Sequence, residues 1–172
     1  MRYELQIIGV FEFMPEKAEF RYKLLLAALL KTRMTRTQAR RLLGVSYRFW
    51  RDVISRLLRE GIVEEKRYSV VTILQLTEKG REYAQRVAGD VEPTPFLREI
   101  GALTEQWFTL PELASELGVS PSELQKTLKR LGLGYRLIGR GVFTRDAEVQ
   151  VRYRLWAVPA SEAEVLKKEF AA

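Results

Sequence analysis

Residues 35–61, TRTQARRLLGVSYRFWRDVISRLLREG, constrain the fold most strongly, because they have the pattern of two short helices joined by a tight turn. Thr35 and Gln38 stand at the spacing of a capping box, in which each side chain bonds the backbone amide of the other residue. Gly44 supplies the backbone freedom that a sharp reversal needs, and Ser46 is a favoured N-cap residue for the second helix. The pattern therefore predicts a helix-turn-helix unit.

The second of these helices is predicted to begin after Ser46, to end at about Glu60 and to have two unlike faces. Its apolar residues recur every three or four positions and form one buried face: Trp50, Val53, Ile54, Leu57 and Leu58. The opposite face begins with Tyr47, Arg48 and Arg51. On a helix that enters a DNA major groove, these three residues would face the bases.

The excess positive charge lies in the first half of the chain. Residues 1–90 contain 18 Lys/Arg and 11 Asp/Glu, whereas residues 91–172 contain 11 of each. From Arg21 to Arg51 there are nine basic residues and no acidic residue. Solvated helix surfaces usually mix both signs, because opposite charges four residues apart stabilise a helix. The unmixed run therefore predicts an anionic partner, with a merely solubilising surface as the alternative interpretation.

The residue types that are missing exclude several kinds of chemistry. The chain has no Cys and no His, which removes disulfides, Cys/His metal sites, thiol nucleophiles and imidazole catalysis. Its nearest paired carboxylates, Glu64 with Glu65 and Glu162 with Glu164, are expected on opposite strand faces and in a capping turn. We therefore expect no enzyme activity, no catalytic residues, no cofactor and no metal.

Membrane signals are also missing. The composition, with 47% hydrophobic and 30% charged residues, is ordinary for a globular protein. No apolar run approaches the roughly 20 residues that span a bilayer, and the opening MRYELQ does not resemble a signal peptide. We expect a cytoplasmic protein. The absence of Asn and Cys, together with abundant ion-pairing residues, indicates a thermophilic source such as an archaeon or one of its viruses.

The segments before the helix-turn-helix unit predict one strand and one helix. Residues 2–13 alternate between polar and apolar in their first half, which is typical of a strand with one buried face. Apolar spacing over Glu16–Lys31 predicts a helix that would complete a three-helix core.

After the unit, the pattern changes to that of a hairpin. Residues 62–65 and 69–76 are predicted strands, and residues 66–68 are the predicted turn between them. A helix over residues 78–87, capped by Thr77, is predicted to follow. Three helices followed by a hairpin with a basic tip is the element order of a winged helix.

Two strings in this region, RLLREGIVEEKRY and LQLTEKGREYAQRV, resemble the end of the DNA-binding unit in winged-helix regulators of the broad multiple-antibiotic-resistance and phenolic-acid repressor type. Those families show a recognition helix, a Gly-Ile/Leu-Val that leads into the wing, and a Leu-Thr-x-x-Gly before the next helix. The resemblance covers about residues 20–88. It implies recognition-helix roles for Tyr47, Arg48, Arg51 and Ser55, and wing-tip roles for Lys66 and Arg67.

The second half of the chain repeats the first. Leu-Gly-Val-Ser occurs at residues 43–46 and again at 117–120, an offset of 74 residues. The same offset aligns three apolar residues with three leucines: Trp50 with Leu124, Ile54 with Leu128, and Leu57 with Leu131. Thr109 with Glu112 and Ser120 with Glu123 have capping-box spacing. The repeat predicts two copies of one fold.

The predicted domains are residues 1–88 and residues 96–172. Residues 89–95 contain two prolines and a glycine without periodicity, as a linker would. Residues 96–107 are expected to supply the first helix of the second domain.

The second domain is expected to have its own wing and a last helix. Strands are predicted over 135–138, 142–144 and 148–157, with the turn at Gly139–Gly141. In residues 149–156 a basic face with Arg152 and Arg154 alternates with an apolar one. A short helix over residues 162–170 follows.

Together these patterns predict an α+β protein of two winged helix-turn-helix domains in tandem, which binds double-stranded DNA and regulates transcription. The predicted DNA-contacting residues are Arg36, Gln38, Arg40, Ser46, Tyr47, Arg48, Arg51, Ser55, Lys66, Arg67, Lys126, Arg140, Arg152 and Arg154. Arginines of the recognition helix suit guanine, and with no Asn in the chain Gln38 is the expected reader of adenine unless DNA shape is read instead.

Several alternatives remain open at this point. A homodimer would place two recognition helices ~34–36 Å apart on a palindromic site, whereas a tandem repeat acting alone would read an asymmetric site. The chain could instead be a docking subunit of a transcription, replication or segregation complex, with a protein partner bound through the C-terminal domain. A third class is a binder of structured RNA.

Overall fold

The computed structural model describes residues 16–44, 47–68, 71–133, 136–146 and 149–171. The chain forms two compact units, which divide between Thr104 and Glu105. Each unit combines helices with a small antiparallel sheet, which confirms the predicted α+β class. The predicted strand over residues 2–13 lies outside the described residues.

The first unit begins with α1 (Glu16–Lys31), β1 (Met34–Thr35), α2 (Arg36–Leu43) and α3 (Tyr47–Arg59). It continues with β2 (Val63–Tyr68), β3 (Val71–Leu76), α4 (Glu78–Ala88) and α5 (Thr94–Glu99). The described strands are antiparallel and hydrogen-bonded in the order β1-β3-β2. The bounds of α1 are those predicted from its apolar spacing.

The predicted pair of short helices is formed by α2 and α3. Both bonds of the capping box are present, since the Gln38 amide donates to Thr35 Oγ1 and the Thr35 amide donates to Gln38 Oε1, each at 3.1 Å. Gly44 ends α2 with a φ of 65°, and its amide donates to the Arg40 carbonyl oxygen. The predicted N-cap Ser46 lies outside the described residues.

Side chains from α1, α2, α3, the β2–β3 hairpin and α4 form one buried core in the first unit. The apolar face of α3 belongs to this core: Trp50, Val53, Ile54 and Leu57 are at most 4% exposed. Burying side chains of this kind contributes about 1.5–3 kcal/mol each relative to leaving them exposed. Because this face fixes the rotation of α3 about its own axis, the opposite face is held toward solvent.

The start of α4 packs on the segment that leads from α3 into β2. The Thr77 amide donates to the Ile62 carbonyl oxygen at 3.1 Å, and Lys79 Nζ donates to the Glu60 carbonyl oxygen at 2.8 Å. Thr77 also caps α4, as predicted, by accepting from the Gly80 amide at 2.9 Å. Gly80 is buried against the Ile62 backbone, and no side chain would fit between them.

The second unit contains β4 (Trp107–Thr109), α6 (Leu110–Leu117), α7 (Pro121–Arg130), β5 (Arg136–Asp146), β6 (Val149–Pro159) and α8 (Ala160–Ala171). Its described strands are hydrogen-bonded in the order β4-β6-β5. Both units therefore share the order strand, helix, helix, strand, strand, with the last of these strands in the middle of the sheet.

The two units divide later in the chain than the predicted linker. Leu97 of α5 is fully buried in the core of the first unit, and the Phe96 ring lies edge-on against the Phe20 ring with centroids 5.9 Å apart. Within the predicted linker, the Glu92 carboxylate accepts from Lys31 Nζ at 2.8 Å. The prolines and glycine of this stretch thus mark turns between packed helices of one unit.

The helix that packs on the second sheet comes from the end of the chain, whereas we predicted it over residues 96–107. α8 contacts α6, β4 and β6, and its Ala163 and Leu166 are buried in the second core. In the first unit, α1 contacts α2 and β3, which hold the same places in the element order as α6 and β6. The role that α1 has in the first unit is thus taken by α8 in the second.

The turn predicted at Gly139–Gly141 is wrong, because β5 continues through these residues to Asp146. The pairing of β5 with β6 shifts register between Leu137 and Gly139, and again between Thr144 and Asp146. A glycine inside a strand commonly marks such an irregularity instead of a reversal.

Candidate nucleic-acid interface

The outward face of α3 is polar and mostly basic. Its exposed residues are Arg48, Arg51, Asp52, Ser55 and Arg59. Residues three, four and seven positions apart share one face of a helix, so these five side chains lie side by side. The structure thus brings together the predicted Arg48, Arg51 and Ser55. Tyr47 is the first residue of α3, where the sequence also placed it.

A cleft of about 430 Å³ lies between α2 and α3. Its walls are formed by Arg36, Thr37, Arg40, Trp50, Arg51, Ile54 and Ser55. Trp50 and Ile54 are core residues, so the polar lining consists of three guanidinium groups and two hydroxyl groups. Guanidinium groups bind phosphate and carboxylate oxygens through paired, charge-assisted hydrogen bonds. The cleft therefore has the chemistry of a site for an anionic group such as a phosphate.

The cleft and the outward face of α3 are contiguous, because Arg51 and Ser55 belong to both. One surface therefore joins predicted residues of the first helix, Arg36 and Arg40, to those of the second. We call this surface, made of Arg36, Thr37, Arg40, Arg48, Arg51 and Ser55, the basic face of the first unit.

Arg36 has an acidic partner at one edge of the basic face. Its guanidinium lies 2.9 Å from a carboxylate oxygen of Glu65 on β2, and its side chain is 49% exposed. Exposed ion pairs of this kind contribute only about 0–1 kcal/mol. A phosphate that approaches the cleft can therefore replace Glu65 as the partner of Arg36 at little cost.

The β2–β3 hairpin presents further cations. Lys66 and Arg67 are both exposed, but they lie within β2, where they pair with Ile73 and Thr72, and not in the turn where the sequence placed them. The strand pairing continues beyond them to Tyr68 and Val71. The two cations are thus held by the sheet close to the far end of the hairpin.

Gln38 does not join the basic face. Its side chain is only 7% exposed, and its Oε1 atom accepts from the Thr35 amide as part of the capping box. The predicted role of Gln38 as a reader of adenine is therefore wrong. The sequence supported both a capping role and a base-reading role for Gln38. The hydrogen bond from the Thr35 amide at the start of α2 excludes the base-reading role.

The predicted residues of the second unit lie in two places. Lys126 is exposed on α7. Arg140 lies in β5, whereas Arg152 and Arg154 lie in β6; the strand register pairs Arg140 with Arg154 and Val142 with Arg152. The backbone of the β5–β6 hairpin thus brings these three arginine positions together.

Comparisons with known proteins do not identify a family for this chain. A comparison with protein-family models found no match, and neither did a comparison with curated proteins. Within the described ranges, no cluster of three or more Asp or Glu residues could hold a metal ion, and no helix there is long and apolar enough to cross a bilayer. The function must therefore be inferred from the chain's own residues.

The sequence-based prediction did not include Thr37 of the basic face or Arg59 beside it. Thr37 lines the cleft, and Arg59 extends the exposed row on α3. Helical spacing was the signal for both, since Thr37 stands three residues before Arg40 and Arg59 stands four residues after Ser55.

Proposed function

We propose that the protein is a sequence-specific regulator of transcription that binds double-stranded DNA through the basic face of its first unit. The observation that carries this proposal is the continuity of that face. Exposed arginines on one side of α3 adjoin a cleft lined by three guanidinium groups, while the other side of α3 is fixed in the core. A rigid helix with this distribution of charge suits insertion into a major groove.

Different parts of the basic face suit different parts of the duplex. Arg48 and Arg51 project from the first turns of α3, where an arginine can bind O6 and N7 of guanine and discriminate against other bases by about 1–3 kcal/mol. Arg36 and Arg40 line the cleft and suit backbone phosphates, which supply affinity with little sequence preference.

The hairpin extends the proposed contact. Lys66 and Arg67 on β2 would bind phosphates or enter the minor groove, as a wing does. The element order of each unit, with helix, helix and hairpin in succession, supports the interpretation of the chain as two winged helix-turn-helix domains. The resemblance of residues 20–88 to winged-helix regulators points the same way.

A docking role has separate support in the second unit. Residues 105–172 contain ten Lys/Arg and nine Asp/Glu, so this unit lacks the charge excess of the first. If the second unit binds a protein partner, neutralising the basic face of the first unit should leave that binding intact.

The proposed function can be tested by fluorescence anisotropy with a random-sequence DNA duplex across a salt series, with structured RNA as a competitor. If Arg36, Arg40, Lys66 and Arg67 each neutralise one phosphate, log K should fall with log[salt] with a slope of about −4. In Arg36→Ala/Arg40→Ala the slope of log K against log[salt] should be less steep by about 2, which gives about −2. The matched control is Arg81→Ala/Arg98→Ala, which removes the same charge from exposed positions on α4 and α5.

Two outcomes would contradict the proposal. In the first, the cleft variant and the control lower duplex affinity and the salt slope equally, so that only net charge matters. In the second, structured RNA displaces the duplex at equal nucleotide concentration, which would indicate recognition of RNA instead.

A further inference from the structure

The helix α7 of the second unit holds the same position in the element order as α3 does in the first. Its inward residues Leu124 and Leu128 are at most 1% exposed, and they stand 74 residues after Trp50 and Ile54, which are buried in the first core. The two helices therefore turn corresponding residues toward their own cores. Their outward faces also correspond.

The glycine that ends the preceding helix has the same backbone conformation in both units. Gly44 has φ and ψ angles of 65° and 29°, and its amide donates to the Arg40 carbonyl oxygen. Gly118 has angles of 68° and 31°, and its amide donates to the carbonyl oxygens of both Ala114 and Ser115. Thr109 and Glu112 form the same capping box as Thr35 and Gln38. The offset of 74 residues thus applies to the backbone as well as to the sequence.

The turn after each helix shows where the offset changes. The Leu57 carbonyl oxygen accepts from the Ile62 amide, and the Leu128 carbonyl oxygen accepts from the Leu133 amide. Gly61 and Gly132, which lie in these two turns, both have a φ of 71°. These equivalent residues stand 71 positions apart, so α7 is shorter than α3 at its C-terminal end, and the predicted alignment of Leu57 with Leu131 is wrong. The correspondence is therefore intact over the N-terminal half, where a recognition helix contacts bases.

The outward face of α7 carries different chemistry from that of α3. Its exposed residues Ser122, Gln125, Lys126 and Lys129 correspond to Arg48, Arg51, Asp52 and Ser55. Glu123, an acidic residue in the first turn, lies about 160° around the helix from Gln125 and about 60° from Lys126, at the far edge of this face, because successive residues are about 100° apart. The face that contains Gln125 is therefore polar and basic.

Gln125 is the residue whose chemistry specifies a ligand. A glutamine amide offers one acceptor and two donors, the set that pairs with N6 and N7 of adenine in the major groove. Arg51, at the corresponding position of α3, suits guanine. Lys126 and Lys129 lie about 100° and about 40° around the helix from Gln125, both on the same side of it, at positions suited to backbone phosphates.

We propose that α7 is a second recognition helix in which Gln125 reads adenine. One chain would then read two half-sites of different composition, a guanine-containing one through α3 and an adenine-containing one through α7. The inference rests on the proposed function of the first unit and assigns DNA, not a protein partner, to the helix of the second.

Selection of bound sequences from a random duplex pool by the full chain tests this inference. Wild type should select a motif that contains a position occupied by adenine. Gln125→Ala should reduce the preference for adenine at that position by about 5- to 150-fold. Gln125→Arg should convert that position to guanine. Gln85→Ala, which removes an exposed glutamine from α4, is the matched control and should leave the motif unchanged. Circular dichroism should show that all three variants fold, since both glutamines are exposed.

The failure of this inference can be distinguished from failure of the proposed function. If Arg48→Ala/Arg51→Ala alters the selected motif and both Gln125 variants leave it unchanged, α7 does not read bases and the inference is overturned while the first unit's role stands. If wild type selects no motif, the proposed function and the inference fail together. A switch from adenine to guanine in the Gln125→Arg motif supports the inference, and loss of selected guanines in Arg48→Ala/Arg51→Ala supports the role of the first unit.

Discussion

Replacing Gly80 with alanine tests how closely the start of α4 packs on the segment between α3 and β2. The new Cβ atom would lie 1.8 Å from the carbonyl oxygen of Ile62 and 2.8 Å from its carbonyl carbon. Both atoms belong to the backbone, so no side-chain rotation relieves the overlap and α4 must move away. That movement also lengthens the bonds from the Thr77 amide to Ile62 and from Lys79 Nζ to Glu60.

The magnitude follows from three contributions. Overpacking of a well-packed site costs about 1–3 kcal/mol, and loss of two hydrogen bonds costs about 1 kcal/mol each. The higher helix propensity of alanine returns about 1 kcal/mol. We therefore expect Gly80→Ala to lower the free energy of unfolding by about 2–4 kcal/mol. The glycine of the Leu-Thr-x-x-Gly string thus has a steric explanation in this chain.

Urea denaturation followed through the NMR signal of the Trp50 indole, which lies in the first core, measures this change. Glu82→Ala, at an exposed position on the same helix, is the control and should change stability by no more than about 0.5 kcal/mol. A Gly80→Ala protein that is as stable as wild type, or more stable, would refute the close backbone contact between α4 and Ile62.

Two further predictions concern ionisation. A hydrogen bond from Lys31, and after it one from Thr94, lowers the pKa of Glu92 to about 2, so Lys31→Met should move that pKa toward 4.5 in a carboxyl NMR titration. Lys31→Met should also be less stable than wild type at neutral pH. This difference in the free energy of unfolding should vanish as the pH falls through 2. Burial, and to a smaller extent the neighbouring Tyr83, raises the pKa of Tyr22 above 10.0. The free energy of unfolding should therefore fall above that pH, and it should fall less in Tyr22→Phe. Ordinary titration of Glu92 or Tyr22 in the folded protein would contradict these assignments.

Local signals in the sequence were sufficient to locate α1 to α4 of the first unit, although not α5. The bounds of α1, the capping box of α2 and the cap of α4 at Thr77 all follow from short-range hydrogen bonding and apolar spacing, which act within a few residues. The outward positions of Arg48, Arg51 and Ser55 follow equally, because burying Trp50 and Ile54 leaves the opposite side of α3 exposed.

Features that depend on distant parts of the chain could not be predicted in the same way. Leu97 is packed in the first core although its segment follows a proline-rich stretch, and α8 reaches the second core from the end of the chain. The glycines at 139 and 141 gave a turn signal, yet strand pairing with β6 carries β5 through them. The cleft between α2 and α3 also needed the structure, because it depends on how two helices are spaced.

The central claim is that α3 reads guanine in the major groove, and methylation interference tests it most directly. Guanines of a selected duplex are methylated at N7 with dimethyl sulfate, and bound and free fractions are compared for wild type, Arg48→Ala/Arg51→Ala and Arg81→Ala/Arg98→Ala. Methylation at specific guanines should prevent wild type and the control from binding the duplex. The residual binding of Arg48→Ala/Arg51→Ala should not change on methylation. If wild-type binding is indifferent to N7 methylation, or if all three proteins show the same interference, α3 does not read guanine and the account is contradicted.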